Sequence, residues 1–180
     1  MQDLILKSQN NILSKLNITD IQKFLVISIK NQELYIIENM KVIKSYLISS
    51  SKYGTGNTNN SFQTPLGIHH IAKKIGDNLR KNTILKGRKI LLDGITTDDL
   101  KKPEYKGFRE KYLSNNEDVI TSRILWLKGN EKDINLGGDV DTFNRYIYIH
   151  GTIHENKIGQ KDSHGCIRMC DEDIVKLFKQ

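Results

Sequence analysis

A cysteine with histidines close by is the part of this chain that can do covalent chemistry. Cys166 sits in the run Ser163-His164-Gly165-Cys166-Ile167-Arg168-Met169, and His150-Gly151-Thr152 stands upstream, with His150 sixteen positions before the cysteine. A thiol beside an imidazole ionises as a thiolate–imidazolium pair, the usual activation of a sulfur nucleophile. Cys166 is therefore the candidate nucleophile of an acyl transfer and His150 its candidate base. Gly165 frees the backbone so that the N–H groups of residues 164–166 can face a developing oxyanion. Arg168 carries a planar guanidinium that suits two-pronged binding of a substrate carboxylate.

Two other readings of these residues weigh less. A lone cysteine is usually a small buried hydrophobe, but here two histidines, a glycine and a serine crowd it. Zinc is the sharper rival, since His150, His154, His164, Cys166 and Cys170 are all possible ligands. Yet Cys-x3-Cys is not the zinc-knuckle spacing, and His150-x3-His154 begins at a strand end rather than on a helix. No metal is expected, and no organic cofactor, because thiolate, imidazole and oxyanion donors cover the chemistry.

The elements that must position this group read mainly as short strands. Residues 4–16 show helical spacing through Ile5, Ile12 and Leu16, which predicts an N-terminal helical extension over residues 1–20, ahead of one domain over 21–180. The β-rich runs 24–29, 34–37 and 42–48 follow, the first two split by Asn31-Gln32 as in a hairpin. Residues 54–67 are loop chemistry, rich in Gly and Asn with Pro65. Further strands are expected at 68–72, 89–92 and 123–127, with a polar, irregular excursion at 94–118 and a turn at 135–141. The alternating run 145–149 predicts a strand that delivers His150 at its end, where Gly151 lets the chain turn. After Cys166, residues 171–179 place acids first and lysines last, as a helix macrodipole favours, and Asp171 is the expected cap. That helix is expected to put its positive end close to Cys166 and to favour the thiolate. The pattern is a β-rich sandwich or barrel with a few short helices.

At 180 residues the chain suits one domain with a proper core. The net charge of +7 comes from scattered lysines such as Lys15, Lys23, Lys41, Lys52 and Lys86, not from a run of nucleic-acid type. A solvated basic surface is the expectation, and a nucleic-acid partner is not. No apolar stretch approaches the ~20 residues that span a bilayer. The first residues lack the pattern of a signal peptide, so a cytoplasmic location is expected, or a periplasmic one if an export signal has been removed. Cys166 and Cys170 are too local for a disulfide framework; Cys170 is expected to be a structural thiol, or a resolving partner should Cys166 be oxidised. No feature of the sequence fixes an oligomeric state.

Residues 146–178 carry a resemblance. The succession His150-Gly151-Thr152, Ile158-Gly159 and Ser163 to Met169, followed by a helix pattern, resembles the signature of the L,D-transpeptidase catalytic domain family (YkuD-like). Upstream, Lys52-Tyr53-Gly54-Thr55-Gly56 and Gln63-Thr64-Pro65-Leu66-Gly67 are similar to the family's Gly-containing loop and its Thr-Pro-x-Gly element. The resemblance implies a mainly β fold and a cysteine acyl-enzyme acting on a muropeptide or peptidoglycan stem peptide. It makes Cys166 the nucleophile and His150 the base, with the Gly151 carbonyl orienting the imidazole as third triad member. His164 and Arg168 would shape the substrate site, and Ser163 would support the loop. The family commonly has Asn where this chain has Asp171. With no export signal in view, the expected reaction is L,D-carboxypeptidase hydrolysis of tetrapeptide stems in cell-wall recycling, with exchange of the terminal D-amino acid as a side reaction. The alternatives are periplasmic cross-linking and, from another class, a non-catalytic muropeptide-binding module.

Overall fold

The computed structural model describes residues 1–113 and 119–180. Strands β1 (Lys23–Ser28), β2 (Glu33–Glu38) and β3 (Lys41–Leu47) pair antiparallel in that order. Side chains alternate across a strand, and here both faces are apolar. Leu34 and Ile36, with Leu25 and Ile27, join the main core, while Phe24, Val26, Tyr35 and Ile37 form a second cluster. The β2–β3 hairpin turns on Asn39-Met40, both at positive φ (47° and 62°), the backbone of a two-residue turn that matches strand twist. Helix α1 (Gln2–Leu16) packs Ile5 and Ile12 into that second cluster and ends on Asn17 in the left-handed conformation.

Six strands make the second sheet: β4 (His69–Ile75), β5 (Ile84–Lys86), β6 (Lys89–Leu92), β7 (Ile120–Gly129), β8 (Tyr148–Thr152) and β9 (Ile167–Met169). Their order is β6-β5-β7-β8-β9, with β4 also paired to β7. All pairs are antiparallel except β8–β9. The excursion after β6 holds two short 3-10 turns and helix α2 (Lys106–Tyr112), and it packs Leu100 and Phe108 with Ile84. The end of that predicted excursion, 114–118, lies outside the described residues. Helix α3 (Asp171–Phe178) adds Ile174, Leu177 and Phe178 to the core in which Leu34, Ile36 and Ile48 meet Leu125, Ile149 and Ile167. The fold is mainly β, two sheets in face-to-face packing with a few short helices.

Two expectations change. The strand predicted over 145–149 begins at Tyr148 instead. Asp141 accepts hydrogen bonds from the N–H groups of Gly137 (2.8 Å) and Asn144 (2.9 Å), and its carbonyl accepts the Arg145 N–H (2.9 Å), so the chain is still turning at Arg145. Strand β5 has no counterpart in the sequence pattern, because three residues carry no readable period.

Candidate active site

Parallel pairing sets Ile149 opposite Ile167 and His150 opposite Arg168. The isoleucines face the core, so His150 and Arg168 share the opposite face with Tyr148, beside which Cys166 packs. The Tyr148 N–H donates to Cys166 Sγ at 3.4 Å, and the thiol in turn faces the Tyr146 carbonyl at 3.6 Å. The sulfur is thus held by the main chain of the element that carries the histidine. His150 is fully buried, and its Nδ1 lies 2.7 Å from the Gly151 carbonyl. A carbonyl only accepts, so Nδ1 bears the proton and the neutral ring keeps its basic lone pair on Nε2.

His150 and Gly151 lie inside β8, not at its end. Gly151 is needed for close approach rather than for a turn: a Cβ there would meet the Thr121 carbonyl at 2.6 Å and crowd the Asp171 carboxylate. The neighbouring strand also departs from regularity. Thr121 pairs with Gly151 and Ile124 with His150, so Ser122 and Arg123 bulge out, with Ser122 at φ 59°. The ladder slips just where the Gly151 carbonyl turns to the imidazole.

The loop before Cys166 is braced from beneath. The buried Ser163 hydroxyl donates to the Cys166 carbonyl (2.6 Å) and accepts from the Gly165 N–H (3.2 Å). Thr64 donates through Oγ1 to the Gly165 carbonyl (3.0 Å) and accepts from the Ser51 N–H (3.0 Å). Gly165 adopts φ 122°, a backbone that side chains rarely allow. This corrects one expectation: the Gly165 N–H serves the loop, so the three N–H groups of 164–166 do not all face an oxyanion. His164 is half-buried and packs its ring against the exposed Tyr53 and Phe62.

Arg168 is 2% exposed and pairs with Asp162 at 2.9 Å, so a substrate carboxylate would have to displace Asp162 to reach it. Sequence reasoning missed Arg145, which donates to the carbonyls of Asn57 (2.9 Å) and Gln63 (2.7 Å) and holds the 56–63 loop against the site. Burial pushes the Arg145 guanidinium below its ordinary value, and the negative charges of Cys166 and Asp139 oppose that. The attraction is mutual, so this cation favours a thiolate at Cys166. No motif marks Arg145; Thr64, by contrast, sits in the Thr-Pro-x-Gly element.

Helix α3 does not serve Cys166 as expected, because β9 stands between them and a helix end acts only near its first turn. Cys170 occupies the cap position instead, and Asp171 is the first helical residue; its carboxylate accepts from Thr121 Oγ1, and its N–H donates to Glu155 (2.7 Å). Burial, with the carboxylates of Glu155, Asp173 and Asp171 adding to it, pushes the Cys170 thiol up to about 11. Cys170 is no resolving partner in this conformation: four residues of extended chain put it ~13 Å from Cys166, beyond disulfide reach. Neither cysteine forms a disulfide. Among the described residues, no group of three or more His, Cys, Asp or Glu is placed to hold a metal ion, and no helix is long and apolar enough to cross a membrane.

Comparison with known proteins returns one family. The model of the YkuD L,D-transpeptidase catalytic domain matches residues 22–180. No curated protein matches the chain. Among solved structures, L,D-transpeptidase 3 from Mycobacterium tuberculosis, in complex with a faropenem-derived adduct, is 15% identical, with 88% of this chain and 55% of that chain covered and a TM-score of 0.48. The Mycobacterium smegmatis L,D-transpeptidase is 16% identical, with 88% and 54% covered and a TM-score of 0.40. The catalytic domain from the E. faecium L,D-transpeptidase, acylated by ertapenem, is 15% identical, with 90% and 92% covered and a TM-score of 0.45. The chain spans about half the length of the two mycobacterial proteins.

Proposed function

This chain belongs to the L,D-transpeptidase catalytic domain family, and on that premise we propose that it is a cysteine acyl-enzyme that removes the terminal D-Ala from peptidoglycan tetrapeptide stems. The observation that carries the reading is the pairing across β8 and β9, with Cys166 held on the Tyr148 N–H and the neighbouring His150 held in one tautomer by Gly151. The Cys166 thiol gives its proton to His150 Nε2, and the resulting thiolate adds to the carbonyl carbon of the third stem residue. The imidazolium of His150 gives its proton to the departing D-Ala nitrogen as the C–N bond breaks, which leaves a thioester. Water then adds to the thioester carbon, His150 takes the water's proton, and the thiolate leaves. Ser163, Gly165 and Thr64 keep the loop in register for both steps, and His164 contributes with Tyr53 and Phe62 to an aromatic wall for the substrate.

Water is proposed as acceptor because it needs no second peptide subsite. The basic, scattered surface charge is compatible with anionic muropeptides. The test incubates pure enzyme with free tetrapeptide and with disaccharide-tetrapeptide and follows the products by mass. Tripeptide and free D-Ala support hydrolysis. Dimers without tripeptide would replace it with transpeptidation, and terminal exchange in the presence of a D-amino acid would add a second acceptor. Binding without turnover, together with failure of a carbapenem to acylate Cys166, would end the acyl-enzyme reading.

A further inference from the structure

Three guanidinium groups gather near the nucleophile, and they are differently engaged. Arg168 is buried on Asp162, and Arg145 is occupied by the 56–63 loop. The third, Arg88, is exposed at the two-residue turn between β5 and β6. It lies over the rings of Trp126 (4.7 Å to the centroid) and Tyr146 (5.3 Å), and its NH1 donates to the Tyr148 hydroxyl (3.1 Å). No carboxylate of the described residues forms an ion pair with it. Guanidinium carries five N–H donors, and stacking on aromatic rings leaves its edge open for a planar anion.

The two tyrosines that Arg88 touches are also the two that hold the sulfur. The Tyr148 N–H and the Tyr146 carbonyl both touch Cys166 Sγ. Arg88 is therefore set about one tyrosine side chain away from the nucleophile, on aromatic rings that fix its direction. In the proposed substrate, the carboxylate of the leaving D-amino acid is three bonds from the carbon under attack. A cation at this remove, open to solvent and with no carboxylate partner among the described residues, matches that carboxylate.

We propose that Arg88 is a specificity-determining residue that binds the C-terminal carboxylate of the leaving D-amino acid, so that the enzyme selects stems with a free acid end. The assignment rests on the acyl-enzyme reading above. Arg88 grips the leaving residue while Cys166 displaces it, and the gripped carboxylate departs with its D-amino acid. Arg168 is left to its structural pair with Asp162.

The test compares kcat/KM for a tetrapeptide with a free C-terminal carboxylate and for the same peptide as its C-terminal amide. Wild type is expected to favour the acid by ~10–100-fold, the worth of a charge-assisted hydrogen-bonded pair. Arg88→Gln should bring that ratio to within about twofold, mainly through a higher KM for the acid, and Arg88→Lys should retain part of it as a point charge. Because Arg88 is exposed at a hairpin turn, a thermal melt distinguishes loss of the group from loss of the fold. An undiminished acid preference in Arg88→Gln overturns the assignment. Equal cleavage of acid and amide by wild type overturns it too, yet leaves the acyl-enzyme reading standing. Failure of wild type to cleave either peptide ends both.

Discussion

Cys166 and Cys170 stand at opposite ends of the same three-residue strand, and their surroundings differ in electrical sign. At Cys166 the neighbours include a backbone N–H from Tyr148 and the charge of Arg145, with the Tyr146 carbonyl as acceptor for the thiol. At Cys170 they are Glu155, Asp171 and Asp173, and burial reinforces their effect. The positive end of α3, which the sequence pattern assigns to the nucleophile, adjoins Cys170 and is already answered by Asp171, Glu172 and Asp173. The motif places two thiols within five residues, and the fold gives them opposite surroundings, one suited to the proposed nucleophile and one that holds a thiol protonated.

The comparison can be tested from its largest consequence down. Cys166→Ala should reduce D-Ala release by roughly 10⁴-fold or more, as removal of a covalent nucleophile does, while Cys170→Ala should stay within about twofold of wild type. Equal losses in the two variants would erase the distinction. Alkylation at pH 7.5 with limiting iodoacetamide should then give one adduct, mapped by peptide mass to Cys166, because a thiol near 11 is ionised to only about one part in a few thousand there. A mixed adduct would show that the carboxylates around Cys170 do not protect it.

Next comes the cation. Arg145→Met should lower kcat/KM by ~10–100-fold, since it removes both a charge near Cys166 and the clamp on the 56–63 loop. Arg145→Lys should recover part of the loss, and recovery of none would assign the residue to loop geometry alone.

The smallest effect belongs to Asp171. Burial raises its carboxyl above the ordinary value of 3.8, and the Thr121 hydroxyl opposes that. The folded carboxyl binds its proton more tightly than the unfolded one. Its favourable contribution is therefore complete below the unfolded value and is lost as pH rises through the folded one. Asp171→Asn should raise Tm at pH 7 by a few degrees at most, about 2–4 °C per kcal/mol for a chain of this size, and the gain should vanish near pH 3. A gain equal at both pH values would show that charge is not its cause.

Much of this site is legible in the linear chain because its parts are local. Residues 163–169 form one loop and one short strand, and the period-two run into His150 marks the element beside them, if not its first residue. What escapes is what arrives from afar. Arg145 acts through carbonyls more than eighty residues away in sequence, Arg88 reaches the site from the β5–β6 turn, and the Arg168–Asp162 pair becomes visible only when both residues are placed. The bulge at Ser122-Arg123 shows no sign in composition, because it expresses how β7 must slip past Gly151. The same holds for the cap: Asp171 has the residue type for it, but Thr121 claims its carboxylate.

The parallel pairing of β8 with β9 also sets the order in which a nascent chain acquires reactivity. Antiparallel neighbours such as β1, β2 and β3 close through tight turns, whereas β9 can join β8 only after the residues between them have been laid across as a crossover. In synthesis β9 follows every other strand of the sheet, so this pairing is the last that the emerging chain can make. Until that last short strand docks, the chain carries an ordinary cysteine, so on the proposed reading a protein still being made would not yet cut peptides.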